Sequence, residues 1–234
     1  MTEFVITRAL LEAGGIDAMV ARSSPDLRLL TEAERADSLH QTLAGRVAGE
    51  PVWLFGYGSL IWNPAIHYVE RRPATIQGWH RAFCLATRAG RGTPDNPGLV
   101  LGLDNGGTCG GVAFRLADGD VETELTLLWR REMLAGSYVP RWVDLADAGG
   151  VRFGRGIAFT INTAADQYAG DLAQQAVIDR LATAAGELGT CADYLFRTCA
   201  GLRAEGIPDP DLDQLAQMVA AVQARVVRDG SSNA

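Results

Sequence analysis

Two stretches of this 234-residue sequence combine residue types that can do chemistry. The first is Phe55-Gly56-Tyr57-Gly58-Ser59-Leu60, an apolar run that ends in two glycines flanking a tyrosine. Glycine lets the backbone turn at positive φ and lets a ligand approach closely. Consecutive N–H groups in such a turn can cup a carboxylate or phosphate. The spelling excludes two better-known turns. A dinucleotide fingerprint needs a third glycine where Ile61 stands. A nucleophile elbow needs G-x-S-x-G, whereas Gly58 directly precedes Ser59 and Ile61 lies two beyond it. Taken alone, the segment is either an anion cradle or a plain strand-end turn.

The second is Glu132. The periodicity predicts a helix over 120–134. At about 100° per residue, Val121, Leu125, Leu128 and Glu132 share a stripe about 60° wide, with Glu122 and Glu124 to either side. The carboxylate therefore points with the apolar face, in a last turn where the helix dipole disfavours negative charge. Desolvation and the dipole both raise its pKa, which suits a general base or acid. The competing reading is an ion pair with an arginine such as Arg130 or Arg131. Three other residues are weaker candidates. Tyr138 follows Gly136-Ser137 and can bring its hydroxyl to the helix end. Tyr194 reads as a core aromatic with a polar tip. Arg91 heads the Gly/Pro loop 91–98 and can reach an anion. His80, in Gly78-Trp79-His80-Arg81, reads as structural.

The elements that must position these residues follow from pattern. Residues 1–50 read as an N-terminal helical extension, with Thr31 and Glu34 spaced as a capping box. This extension is expected to pack as a surface arm. Strands are expected at 52–55, 76–87, 99–103 and 111–116, with Asn105-Gly106-Gly107 as a turn between the last two. After helix 120–134 come strands at 138–144 and 155–161, then helices at about 171–185, 190–204 and 209–228. The domain reading is an extension at 1–50, a catalytic domain at 51–228 and a disordered tail at 229–234. Strands with one inserted helix, followed by a helical third, make an α+β protein.

Composition bounds the function. With 47% hydrophobic residues, a chain this long buries roughly 70–75% of its unfolded surface without staples. A net charge of −7 argues against a nucleic-acid partner. All 21 basic residues are arginine, which excludes a Schiff-base lysine and a P-loop lysine. Four cysteines without a C-x-x-C pair and three scattered histidines give no metal-site spacing. The cysteines read as reduced thiols, hence a cytoplasmic protein. There is no signal-peptide pattern and no apolar run near the ~20 residues of a membrane span, so no membrane association is expected. No obligate protein partner is inferred.

Together these segments resemble the ChaC branch of the γ-glutamylcyclotransferases. The resemblance rests on Trp53-Leu54-Phe55-Gly56-Tyr57-Gly58-Ser59-Leu60-Ile61-Trp62, on Gly78 to Leu85, on the Arg91-Gly92-Thr93-Pro94 loop with Pro97-Gly98, on Leu127 to Met133 followed by Gly136-Ser137-Tyr138, and on Gly189 to Phe196. It covers roughly residues 52–225 and is closer to bacterial than to animal members around Glu132. It implies a small mixed β-barrel with helices around it, acting on glutathione without cofactor or metal. The substrate's own α-amine would attack its δ-carbonyl, releasing 5-oxoproline and cysteinylglycine. Glu132 matches the family's catalytic glutamate. Gly56, Tyr57, Gly58, Ser59 and Leu60 match its γ-glutamyl-binding turn, and Arg91, Tyr138 and Tyr194 carry over as pocket residues. Leu99 stands where an arginine is common in the family. Other γ-glutamyl dipeptides or amides, or a non-catalytic binding role, are the alternatives.

Overall fold

Trp53, Leu54 and Phe55 are all buried because their strand is covered on both sides. This strand, β1 (Trp53–Gly56), pairs antiparallel with β3 (Gly98–Arg115) and parallel with β5 (Arg152–Ile161). A strand enclosed in this way reads as a continuous apolar run. The computed structural model describes residues 5–231. With β2 (Glu70–Thr87) and β4 (Tyr138–Ala146), these strands close a barrel in the order β1-β3-β2-β4-β5. The barrel and the helices around it bear out the α+β expectation.

One expectation is corrected. The segments 99–103 and 111–116 are not two strands joined by a turn at Asn105-Gly106-Gly107. They are one 18-residue strand, β3, paired along its length with β2. Gln77 faces Thr108 and Trp79 faces Asn105, so Gly78 alone opposes Gly106 and Gly107. All three glycines have positive φ (82°, 92° and 72°). The glycine pair that spells a hairpin here makes a β-bulge that bends the hairpin into the barrel wall.

The helix carrying Glu132 is α4 (Val121–Glu132), shorter than the expected 120–134 and ending on the glutamate itself. Leu125, Leu128 and Trp129 are buried against the barrel. Trp129 meets Phe159 of β5 edge-on at 5.0 Å, and its indole N–H donates to Ser38 Oγ at 3.2 Å. This packing fixes the direction in which the last turn points.

Three helices precede the barrel: α1 (Arg8–Glu12), α2 (Gly15–Ser23) and α3 (Glu32–Ala44). The Thr31–Glu34 capping box is present, each partner bonding the other's backbone N–H. The second helix begins directly after Gly14, whose left-handed backbone (φ 67°) turns the chain between α1 and α2. Leu11, Ile16, Met19 and Val20 form an apolar cluster with Ala89 and Leu127 of the body. Arg8 donates both to Glu12 and, at 2.7 and 2.9 Å, to the buried Glu124 of α4.

The C-terminal third holds α5 (Gln174–Thr183), a two-stranded hairpin of β6 (Ala185–Gly186) and β7 (Gly189–Thr190), α6 (Cys191–Ala204) and α7 (Pro210–Ser231). Helix α7 covers positions 229–231 of the expected disordered tail, and 232–234 lie outside the described residues. All four cysteines are buried and unpaired. No helix among the described residues is long and apolar enough to cross a membrane.

Candidate active site

Beyond Gly56 the chain leaves the barrel through Tyr57 and Gly58 into a 3-10 turn, Ser59–Ile61. Arg81 of β2 holds this turn from behind. It donates to the Tyr57 carbonyl at 2.6 Å, to the Gly110 carbonyl and to Asp209. The Tyr57 phenol turns inward and donates to the Phe159 carbonyl at 2.7 Å. Gly58 is required for a reason the sequence did not carry: a Cβ there would sit 2.7 Å from the Tyr194 hydroxyl. The missing side chain is what lets α6 bring its tyrosine against the turn.

These elements border a cavity of about 510 Å³, within the range of small-molecule sites. Ser59, Arg91, Glu132, Tyr138 and Tyr194 line it together, as do Trp62, Ser137 and Arg131. Gly56, Tyr57, Gly58 and Leu60 stand behind the wall; they shape the turn and are not among the lining residues.

The Glu132 side chain is 15% exposed, and Oε1 lies 3.0 Å from Nε of Arg131. Glu132 therefore has the arginine partner of the competing reading and also opens on the cavity. Burial pushes its pKa above the usual carboxylate range, and the Arg131 charge and hydrogen bond pull against that rise without cancelling it. The phenols of Tyr57, Tyr138 and Tyr194 are all pushed up, first by burial and then by charges that in each case include Glu132. All three phenols thus stay protonated near the carboxylate, and two of their protons are already committed, that of Tyr57 to the Phe159 carbonyl. The Tyr138 hydroxyl is engaged by the Leu101 carbonyl at 2.7 Å, whereas no described hydrogen bond has the Tyr194 hydroxyl as donor.

Arg131 is the functional-site residue that sequence reasoning named only as an optional partner. Its guanidinium spans three elements: Nη1 donates to the Asn63 carbonyl at 2.6 Å, Nη2 to Ser59 Oγ at 2.8 Å, and Nε faces Glu132. One planar fork thus ties the 3-10 turn to the end of α4. Arg91 is buried and stacks over the rings of Tyr194 (5.2 Å) and Trp62 (5.9 Å), while donating to the Thr190 carbonyl at 2.8 Å. Its geometry supports Tyr194.

The arm is a second surprise. Ile6, Met19, Val20 and Leu27 belong to the cavity wall. The Asn63 side chain donates to the Ile6 carbonyl at 2.9 Å, and the Leu30 N–H donates to the Leu134 carbonyl just past Glu132 at 2.7 Å. A surface-packing arm is therefore an incomplete description. Its target loops are distant in sequence, so no local signal could have revealed this role.

A pocket in which a carboxylate of raised pKa faces neutral hydrogen-bond donors is the arrangement of an acid–base enzyme. The backbone matches the yeast γ-glutamyl cyclotransferase specific to glutathione with a TM-score of 0.67 at 21% identity, over 74% of this chain and 97% of that one, which places the fold. The family model described as ChaC-like protein matches residues 52–225, and the chain belongs to that family. It is 43% identical over 227 residues to the glutathione-specific gamma-glutamylcyclotransferase of Escherichia coli K12, covering 97% of both chains. It is 30% identical over 184 residues to glutathione-specific gamma-glutamylcyclotransferase 1 of Danio rerio, covering 77% of this chain and 93% of that protein.

Proposed function

We propose that this protein is a glutathione-specific γ-glutamylcyclotransferase, with its catalytic unit at 51–228 and the arm attached to it. The near full-length similarity to the E. coli enzyme carries the reading. The position of Glu132 on the cavity supports it chemically. The substrate's α-ammonium must lose a proton before its nitrogen can attack. The Glu132 carboxylate takes that proton, and the amine nitrogen bonds to the δ-carbonyl carbon, which places negative charge on the oxygen. The Tyr194 hydroxyl is the donor we assign to that oxygen. Collapse breaks the bond to the cysteine nitrogen, which takes the proton held by Glu132; the ring nitrogen then gives up its second proton through the freed carboxylate to the same amine, leaving the neutral lactam and the ammonium of cysteinylglycine. The products, 5-oxoproline and cysteinylglycine, account for every atom of the substrate. Ring closure is intramolecular, so holding the γ-glutamyl chain folded supplies much of the acceleration. That holding falls to Ser59 and Tyr138 on the wall, shaped by Gly56, Tyr57, Gly58 and Leu60 behind it and by Arg91 beneath Tyr194. The setting we propose is cytoplasmic, in keeping with four unpaired cysteines.

The direct test incubates purified protein with glutathione, γ-Glu-Cys and γ-Glu-Ala and follows 5-oxoproline by mass spectrometry. Product from glutathione alone is expected. Product from the dipeptides instead would replace the substrate, and product from none would sink the reading. Gly58→Val is expected to drive Tyr194 out of place and lower kcat/KM by about 10²-fold, the scale on which ~1 Å misplacements act. Wild-type kinetics in a folded Gly58→Val protein would separate the turn from substrate binding.

A further inference from the structure

Four arginines stand on the cavity wall, at 88, 91, 131 and 197. Three have an anionic neighbour. Arg91 lies 3.6 Å and Arg197 3.0 Å from Asp193, and Arg131 is 3.0 Å from Glu132. Arg88 is exposed, and no hydrogen bond, ion pair or ring contact involves it among the described residues. It follows directly after the Thr87–Gly98 pair that ends the β2–β3 ladder.

The arm meets the body at this point. Ala89 belongs to the apolar cluster of Ile16, Met19 and Val20. The Met19 methyl lies 3.8 Å from where a Cβ on Gly90 would be. The other ionisable side chains on the wall include Asp26, Asp166 and Glu132, which repel an anion. Leu99 is fully buried in the barrel and offers nothing to a ligand. The family match begins only at residue 52, so the wall contributed by the arm lies outside the matched region.

We infer that Arg88 and the N-terminal arm read the distal half of the substrate, with Arg88 taking its terminal carboxylate and the α2 face lying alongside. The inference rests on the proposed activity and adds a specificity-determining pair of elements to it. A lone guanidinium facing the cavity is the natural receptor for a carboxylate arriving at the end opposite the reacting amine.

The test compares wild type, Arg88→Ala and Arg88→Lys on glutathione and on glutathione whose glycine carboxylate is converted to the amide. Arg88 is exposed, so its variants fold. Arg88→Ala is expected to raise KM for glutathione about tenfold or more and to leave kcat within about twofold. Arg88→Lys recovers much of the loss. On the amide, wild type and Arg88→Ala behave alike. The arm is tested separately by Asp26→Arg, on its exposed rim, which lowers KM for glutathione and not for the amide. Equal losses on both substrates, or an unchanged KM for glutathione in Arg88→Ala, overturn the role of Arg88. No change in Asp26→Arg overturns that of the arm. If wild type makes no 5-oxoproline from either tripeptide, the proposed activity itself falls. If it does and the variants are indifferent, only this inference falls.

Discussion

Glu132→Gln is expected to bind glutathione and to release 5-oxoproline at least about 10²-fold more slowly than wild type, the usual cost of losing a general base. Glutamine keeps the shape and the acceptor facing Arg131, so single-turnover rates should collapse while binding by calorimetry persists. A variant that keeps more than about a tenth of the wild-type rate would remove Glu132 as the base. The same group sets a pH dependence. Burial raises its pKa in the folded protein, so the acid limb of kcat/KM should lie above the ordinary glutamate value of about 4.5. The sign for stability follows. Between the unfolded and folded pKa values the folded state holds the proton and the unfolded state does not. Stability therefore falls as pH rises from about 4.5 through the folded value. Thermal unfolding should show this drop in wild type and a smaller one in Glu132→Gln. Identical pH profiles for the two proteins would mean that Glu132 does not titrate in that window.

Arg131→Met is the second large effect. Both partners of this ion pair are largely removed from water, with Arg131 5% and Glu132 15% exposed. Removing one partner of a buried pair typically costs about 3 kcal/mol, because the remaining charge is left uncompensated. Chemical denaturation should show a loss of that size, and Arg131→Met/Glu132→Gln should recover part of it, since the two changes are coupled. Without the guanidinium the Glu132 carboxylate loses the influence that pulls its pKa down, so residual activity should have its acid limb at higher pH. Arg131→Lys should restore stability better than turnover, because an ammonium cannot hold Ser59, the Asn63 carbonyl and Glu132 at once. An acid limb unmoved in Arg131→Met would mean that the pair does not tune the base.

Features that depend on neighbours a few residues apart are legible in the sequence. The Thr31–Glu34 cap, the buried run Trp53–Phe55 and the placement of Glu132 on the apolar face of its helix all follow from local period and residue type, and all stand in the structure. The motif order was also legible, and with it the family. Long-range pairing was not. Gly106-Gly107 spells a turn, and only the opposing Gly78 makes it a bulge. Glu124 looked like a flank of the apolar stripe, yet it is buried on a partner 116 residues away, Arg8. Arg131 and Glu132 are chain neighbours, but nothing local shows that the same guanidinium also grips Ser59. The arm's apolar face needed a partner, and the loops it covers lie far along the chain. Only the folded barrel brings them together, because burial and hydrogen-bond satisfaction are decided by what the closed structure places opposite each group.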